Sequence, residues 1–288
     1  MPRAIFFIFL IGGSVALSAE RALPGEVLYH WKTDVNERLA LSVRHGAERK
    51  ALFAATLAAR RMEEAEILAV EKKLGSTSTS MVALSFKRSM KEVERRLVGL
   101  KKDGKLAVAH SIESGLEAAL RAHEEVLTKL GEKEVAPSGL GAVLGALRSR
   151  IIQVELTRSD SERKLAESLP EQPSLEGPLK SAEAAYRDAE AYVAAAGERA
   201  GEEAMTEANA RLAASSSAIA DGLVREERKE YRAALAFYQS AARLAEEARF
   251  SADIASSVER RIAATKGPFS ADRLGFGTTT PTAKAFGL

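Results

Sequence analysis

The chain has 288 residues, 46% of them hydrophobic, and a formal net charge of +2. A near-neutral chain has no strong overall field, so its charge argues against a nucleic-acid partner. The chain has no cysteine, which excludes disulfides, thiol nucleophiles and thiolate metal sites. Aromatic residues are few and alanine, leucine and charged residues are abundant, a composition typical of long helices. We therefore expect an all-α protein, a multi-helix bundle with long alanine-rich antiparallel helices.

The N terminus has the pattern of an export signal. A basic start at residues 1–3 precedes the uncharged apolar run Ala4–Leu17, and small residues follow it. This pattern predicts a signal peptide over residues 1–19, cleaved after Ser18 or, failing that, after Ala19. A bilayer-spanning helix needs about 20 apolar residues, so an uncleaved membrane anchor is the less favoured alternative. We expect an exported protein, periplasmic or extracellular.

Helical periodicity predicts an N-terminal helical domain over residues 20–168. The expected apolar face of its first helix is Leu28, Trp31, Val35 and Leu39. Glycine, serine and threonine at positions 75–79 predict a loop, with Ser80 capping the next helix. Gly141 and Gly145 are interpreted as places where two helices cross closely.

The apolar stripe weakens between Thr157 and Lys164. Ser159 and Glu162 have the spacing of a capping box, which predicts a break and a new helix. A continuous helix with a solvated face fits the same residues equally well, so both interpretations stay open.

Three prolines lie within residues 169–178, and proline is costly inside a helix. This segment predicts a linker or hinge between two helical units. Residues 179–265 then carry an alanine-rich stripe, which predicts a helical hairpin or bundle. Residues 266–288 are rich in glycine, threonine and proline, and we expect a disordered tail.

Two short stretches carry a resemblance to a known family. Residues 23–32 read LPGEVLYHWK, and residues 59–65 read ARRMEEA. They resemble a bacterial family of extracytoplasmic domains of unknown function with an L-P-G-[D/E]-x-L-Y-x-x-K opening and an A-x-R-R-x-x-E-A-like helix. His30 is a departure, because family members often have proline there. The resemblance covers residues 21–131 and implies an exported all-helical domain without an established activity.

Residues 230–241 resemble part of a tetratricopeptide hairpin, with tyrosine and alanine at the family spacing. A solenoid needs several repeats, and one copy is visible. Convergent packing of a helical hairpin is therefore the favoured interpretation.

No pattern of residues predicts a catalytic, cofactor or metal site. His110 and His123 share a predicted helix but lie roughly 20 Å apart along it, too far for one ion. Ser161 and Lys164 match a Ser-x-x-Lys nucleophile pattern, but the Ser-Asp-Asn and Lys-Thr-Gly sequences that accompany it in enzymes are missing. We expect a protein that is not an enzyme and holds no cofactor.

Two groups of residues are candidates for a partner surface. Tyr29 and Trp31 lie in the opening, where packing of the first helix is the ordinary role and a partner contact the alternative. The densest basic stretch, residues 87–105, carries five net positive charges. Its candidate contact residues are Lys87, Arg88, Lys91, Arg95 and Arg96. A solvated helix face is favoured over a surface for anionic lipid or an acidic envelope polymer.

The leading hypothesis is a non-enzymatic exported protein that acts as an envelope adaptor, scaffold or assembly factor, with a protein partner. The first alternative is a protein that binds anionic lipid or cell-wall polymer through the basic helix 87–105. The second alternative is an enzyme of unrecognised type.

Overall fold

The structure is a computed structural model that describes residues 19–132 and 137–266. Every regular element in these residues is helical, which confirms the all-α prediction. Apart from its last residue, the predicted signal peptide lies outside the described residues, as does the predicted tail apart from its first residue. The chain divides into two compact units between Glu171 and Gln172.

The first unit is built around four long helices. A short N-terminal helix α1 (Tyr29–Trp31), a π-helical turn (Lys32–Asn36) and α2 (Glu37–Val43) precede them. The long helices are α3 (Ala47–Val70), α4 (Ser76–Lys102), α5 (Leu106–Gly131) and α6 (Leu140–Glu167). Helix α3 packs against α4 and α5, and α5 packs against α6. The largest buried side chains between these helices include Met62, Phe86, Met90, Leu116 and Leu147.

The second unit is a three-helix bundle. It comprises α7 (Glu176–Ala196), a 3₁₀ turn (Gly197–Ala200), α8 (Glu202–Glu227) and α9 (Tyr231–Lys266). Helix α9 packs along both α7 and α8. The shared core is mostly alanine, including Ala189, Ala208, Ala245, Ala248 and Ala252. Small side chains let the backbones approach closely, and the helices compensate for the small area per residue by their length.

Helix α4 begins at Ser76, so the predicted loop at 75–79 and the predicted cap at Ser80 are wrong. The Ser80 hydroxyl instead donates to the carbonyl of Ser76, one turn back, at 2.9 Å. Thr79 and Val82 are buried in the bundle. Packing of this first turn outweighs the weak helix propensity of serine and threonine.

Helix α6 runs without a break through Thr157–Lys164. Its inward positions there are Arg158 and Ser161, and both are buried. The apolar stripe weakens in the sequence because the buried face becomes polar. Gly141 and Gly145 do not mark a helix crossing: both are exposed, and no atom lies within 4 Å of where a Cβ would be.

Within the ranges that the structure describes, no helix is both long enough and apolar enough to cross a bilayer.

Candidate functional site

The first helical segment, which comprises α1, the π-helical turn and α2, buries the side opposite to the one that the sequence predicts. Its buried residues are Tyr29, Lys32 and Glu37. Five large hydrophobic residues in or just before the segment are between 41% and 93% exposed, whereas Leu28 and Leu41 are half-buried. The five exposed residues, here called the apolar stripe, are Val27, Trp31, Val35, Leu39 and Val43. The expected inward face of Trp31, Val35 and Leu39 is therefore wrong, and the polar side of the segment faces the bundle.

A buried polar cluster holds the segment in this orientation. We call it the clamp, and it consists of Tyr29, Lys32, Glu37, Arg61 and Glu64. Lys32 Nζ lies 2.6 Å from Glu64 Oε1, and Arg61 Nη1 donates to the Tyr29 hydroxyl at 2.7 Å. The hydroxyl lies 2.9 Å from Glu64 Oε2, and Arg61 is also paired with Glu37. These contacts join the π-helical turn and its two flanking helices to α3.

Two further contacts secure the same residues. Lys32 Nζ donates to the backbone carbonyl of Ala22 at 3.1 Å. The Tyr29 hydroxyl lies 3.0 Å from Ser85 Oγ on α4. The clamp therefore ties the chain before α1 to α3, and Tyr29 adds a contact to α4.

The charges of the clamp compensate one another. Two cations, Lys32 and Arg61, face two carboxylates, Glu37 and Glu64. Burial raises the pKa of Glu37, although Arg61 opposes the shift. Desolvation lowers the pKa of Arg61, but the attraction of Glu64 and Glu37 outweighs it and the net pKa is raised. The guanidinium therefore stays charged.

Tyr29 stays a neutral hydroxyl in this cluster. Burial, followed by the negative charge of Glu64, raises its pKa to about 12. The phenol can then both donate and accept, which links Arg61 to Glu64. No proton transfer near neutral pH is expected at this group.

The clamp joins the two sequence segments that carry the family resemblance. Tyr29 and Lys32 belong to the LPGEVLYHWK opening, and Arg61 and Glu64 belong to the second stretch. Their side chains meet although more than 30 positions separate them in sequence. The contacts within the clamp thus explain why the two motifs contain a tyrosine, a lysine, an arginine and a glutamate at these positions.

Of the two aromatic candidates for a partner surface, only Trp31 is on the surface. Tyr29 is 2% exposed and serves the clamp, so its proposed partner contact is wrong for the folded protein. Trp31 is 43% exposed and lies in the apolar stripe.

The basic candidates on α4 differ in how they are neutralised. Arg95 and Arg96 both pair with Glu92, and Arg88 pairs with Asp34 at 3.0 Å. Lys87 and Lys91 are exposed and form no ion pair within the described part of the chain. Since Glu92 already counts in the net charge of the stretch, only the pair with Asp34 lowers the positive charge of these five candidates below what the sequence indicates.

The Arg88 pair with Asp34 brings the two candidate groups together. Asp34 immediately precedes Val35 of the apolar stripe, and Arg88 lies on the outer face of α4. Arg88 of α4 therefore lies beside the segment that carries the apolar stripe. Sequence spacing could not predict this contact, because it joins positions 54 residues apart.

The histidines and the Ser-x-x-Lys pattern are part of helix packing. His123 Nδ1 lies 2.7 Å from Glu66 Oε1, and His110 Nε2 lies 3.3 Å from Glu162 Oε1. Ser161 is fully buried and donates to Glu113 at 2.7 Å. Among the described residues, no three histidine or acidic side chains are placed to hold one metal ion.

The spacing of the apolar stripe is unusual for an α-helix, and this can be seen in the sequence. Its members lie four residues apart, and in an α-helix this spacing drifts by about 40° per step. The wider π-helical turn at Lys32–Asn36 reduces that drift and keeps Trp31, Val35 and Leu39 on one side. A strict four-residue apolar repeat is a sign that this segment is not an ordinary amphipathic helix, but it does not reveal which side is buried.

The chain matches no family model, no curated protein and no solved structure. The family resemblance of residues 21–131 therefore stays a prediction based on its two motifs. The fold and the site define an all-α protein with a surface-exposed apolar stripe that a buried ionic clamp supports.

Proposed function

We propose that this is a non-enzymatic exported protein that docks to the cell envelope and acts there as an adaptor, scaffold or assembly factor. The observation that carries this proposal is the apolar stripe, turned outward by the clamp. Contiguous exposed apolar surface marks interaction sites in folded proteins, whereas scattered apolar residues do not. The stripe is contiguous because its members follow one another at every fourth residue.

The energetics of the segment favour a binding role. Burying ionised groups is expensive, and a buried ion pair is often no more stable than a hydrophobic pair in its place. Here the chain buries Lys32, Glu37 and Arg61 while it leaves Val35 and Leu39 in water. Stability alone would favour the opposite orientation, so contact with a partner gives the exposed side chains a reason to be there. Covering them would contribute roughly 25 cal/mol per Å² of apolar area.

An adaptor also needs a second contact surface. In the second unit, Tyr192 of α7 and Leu223 and Val224 of α8 are partly exposed apolar residues. We propose that the first unit provides the docking stripe and that the second unit contacts a protein partner.

A second candidate function is binding of anionic lipid. The observation that favours it is the position of Lys87 and Lys91, which have no carboxylate partner in the described residues and lie on the helix that contacts Asp34. Helix 87–105 alone is a weaker candidate, because Arg88 pairs with Asp34 and both Arg95 and Arg96 pair with Glu92.

Fractionation of cells that produce the exported chain tests the docking role. We expect the native chain to sediment with envelope material and the Val35→Ser, Leu39→Ser variant to be released. The matched control is Ile152→Ser, Leu156→Ser, which changes two exposed apolar residues of α6. Equal sedimentation of all three proteins would contradict the proposal. Substrate turnover by the purified chain would show that the protein is an enzyme.

A further inference from the structure

Cations border the apolar stripe on the side that faces α4. Arg38 and Arg88 are largely exposed and both contact Asp34, at 3.3 and 3.0 Å. His30 Nδ1 lies 3.7 Å from the same carboxylate. The acidic group nearest the stripe is therefore neutralised by its own neighbours.

Lys87 and Lys91 carry further positive charge on the same helix as Arg88. Both are exposed, and no carboxylate in the described residues pairs with either. Leu84 lies one turn before Arg88 and is 66% exposed. The surface thus combines aliphatic residues, an indole and a positive border.

We propose that the occupant of the apolar stripe is the surface of an anionic lipid bilayer. This inference rests on the proposed docking function and names what the stripe docks to. Helices that lie in a membrane interface have an apolar side with tryptophan and leucine and a polar side rich in lysine and arginine. Tryptophan favours the headgroup level, and each nearby lysine or arginine gains from a negative surface potential. The stripe supplies the apolar side with its tryptophan and leucine, and Arg38 and Arg88 supply exposed cations beside it.

The geometry of the stripe favours a bilayer over a protein groove. Its members extend from Val27, in the turn before α1, to Val43 at the end of α2, and all of them are exposed. Interfacial helices insert their apolar side only about 5–10 Å below the headgroups, a depth that one layer of side chains can reach. The clamp keeps the polar side of the segment away from lipid, because its charged groups are paired inside the unit.

Trp31 provides a direct probe, because it is the only tryptophan in the sequence and lies in the stripe. The exported chain, purified from cells, is titrated with vesicles of phosphatidylglycerol and phosphatidylethanolamine. We expect the emission of Trp31 to shift to the blue and the shift to saturate. Vesicles of phosphatidylcholine should produce a much weaker shift. An uncleaved apolar N terminus would bind both kinds of vesicle alike, so equal shifts would overturn the inference.

Two sets of substitutions separate the apolar and electrostatic parts of binding. Val35→Ser, Leu39→Ser should weaken vesicle affinity by about tenfold or more, since two apolar side chains no longer leave water. Lys87→Gln, Lys91→Gln should weaken it by roughly fivefold per lysine at low salt. All four positions are exposed, so the variants should keep the thermal unfolding of the native chain. The control Ile152→Ser, Leu156→Ser should bind like the native chain.

The outcomes distinguish this inference from the proposed function. Loss of vesicle binding in the stripe and lysine variants supports a bilayer. A second outcome is that Trp31 does not respond to anionic vesicles while the stripe is still required for envelope sedimentation. The lipid inference is then overturned, the docking function stands, and the stripe binds a protein or polymer. If neither response is seen, both proposals are overturned. Unchanged binding of the lysine variant would overturn the requirement for anionic lipid.

Discussion

At the scale of single residues, five side chains decide which side of the first helical segment faces water. Lys32 and Arg61 bring positive charge into the unit, and Glu37 and Glu64 neutralise it. Tyr29 supplies a neutral hydroxyl between Arg61 and Glu64. Since each charged group depends on another, loss of one partner leaves an uncompensated buried charge.

The first prediction concerns Glu64, which accepts from both Lys32 and Tyr29 and pairs with Arg61. We expect Glu64→Gln to lower the free energy of unfolding by about 3 kcal/mol, because two buried cations lose their shared carboxylate. Urea unfolding monitored by Trp31 fluorescence measures the change, since Trp31 is next to the clamp. Glu63→Gln, at the exposed neighbouring position, should change stability little. Equal stability of both variants would show that the clamp does not hold the segment.

The second prediction concerns Glu246 on α9. Its Oε2 atom is buried and has no hydrogen-bond partner in the described part of the chain. Burial raises its pKa from 4.5 to about 7, with Arg249 opposing and Glu247 adding to the shift. The folded chain therefore binds this proton more tightly than the unfolded chain. The resulting stability is fully present below about pH 4.5 and is lost as the pH rises through 7.

Glu246→Gln should remove this dependence. At pH 8 we expect the variant to be more stable than the native chain by on the order of 2 kcal/mol, and at pH 4.5 the difference should vanish. Thermal unfolding at both pH values measures it. Glu259→Gln, at an exposed position of the same helix, should follow the native chain. A variant that gains stability equally at both pH values would contradict an ionised, buried Glu246.

At the scale of elements, helix packing in the second unit depends on small residues at the contact. Gly222 of α8 lies against the ring of Tyr238 on α9, where an added Cβ would collide with ring carbons. Tyr238 is buried, so its ring has little room to move. In the sequence Tyr238 follows Ala234 and precedes Ala241 at a helical period, but only the packed pair shows that its ring lies against a glycine.

The third prediction compares one substitution at two glycines. Gly222→Ala should destabilise the protein by about 1–3 kcal/mol, because overpacking outweighs the helix propensity of alanine. Gly145 lies in the second turn of α6 with open space around it. There alanine should stabilise by roughly 0.5–1 kcal/mol. Chemical unfolding of both variants measures the two effects, and effects of the same sign would show that the Gly222 contact is loose.

At the scale of the whole molecule, the chain is two helical units joined through a segment without regular structure. Leu169–Leu175 lies between α6 and α7, and Glu171 within it is exposed. The division between the two units falls at Glu171. Each unit has its own core, one of large aliphatic and aromatic residues and one mostly of alanine.

The fourth prediction is that a glutamate-specific protease cuts first after Glu171. An exposed segment outside the helices can adopt the extended conformation that a protease requires, whereas a packed helix must first unfold. Mass spectrometry of the earliest fragments identifies the cut. Glu167 at the end of α6 and Glu176 at the start of α7 serve as internal controls, since both are helical. Earlier cleavage within α3 or α9 would contradict the two-unit organisation.

The sequence by itself determined the fold class and the course of the long helices. Apolar residues at Phe86, Met90, Val93 and Leu97 recur at a helical period, and the same residues line the core. Such patterns are local, because each residue's place on a helix follows from its distance along the chain. The sequence also determined where the proline-rich segment lies, since proline limits a helix wherever it occurs.

Only the tertiary structure decided which side of the first segment is buried. From the sequence, Trp31, Val35 and Leu39 were the expected inward face, because apolar side chains normally leave water. The opposite orientation depends on Arg61 and Glu64, which reach Tyr29 and Lys32 from a helix more than 30 residues away. Periodicity carries no information about such partners, since a lysine that will be paired and buried looks the same in sequence as one that stays in water. The candidate site therefore depends on long-range charge pairing, which arises only when the helices pack.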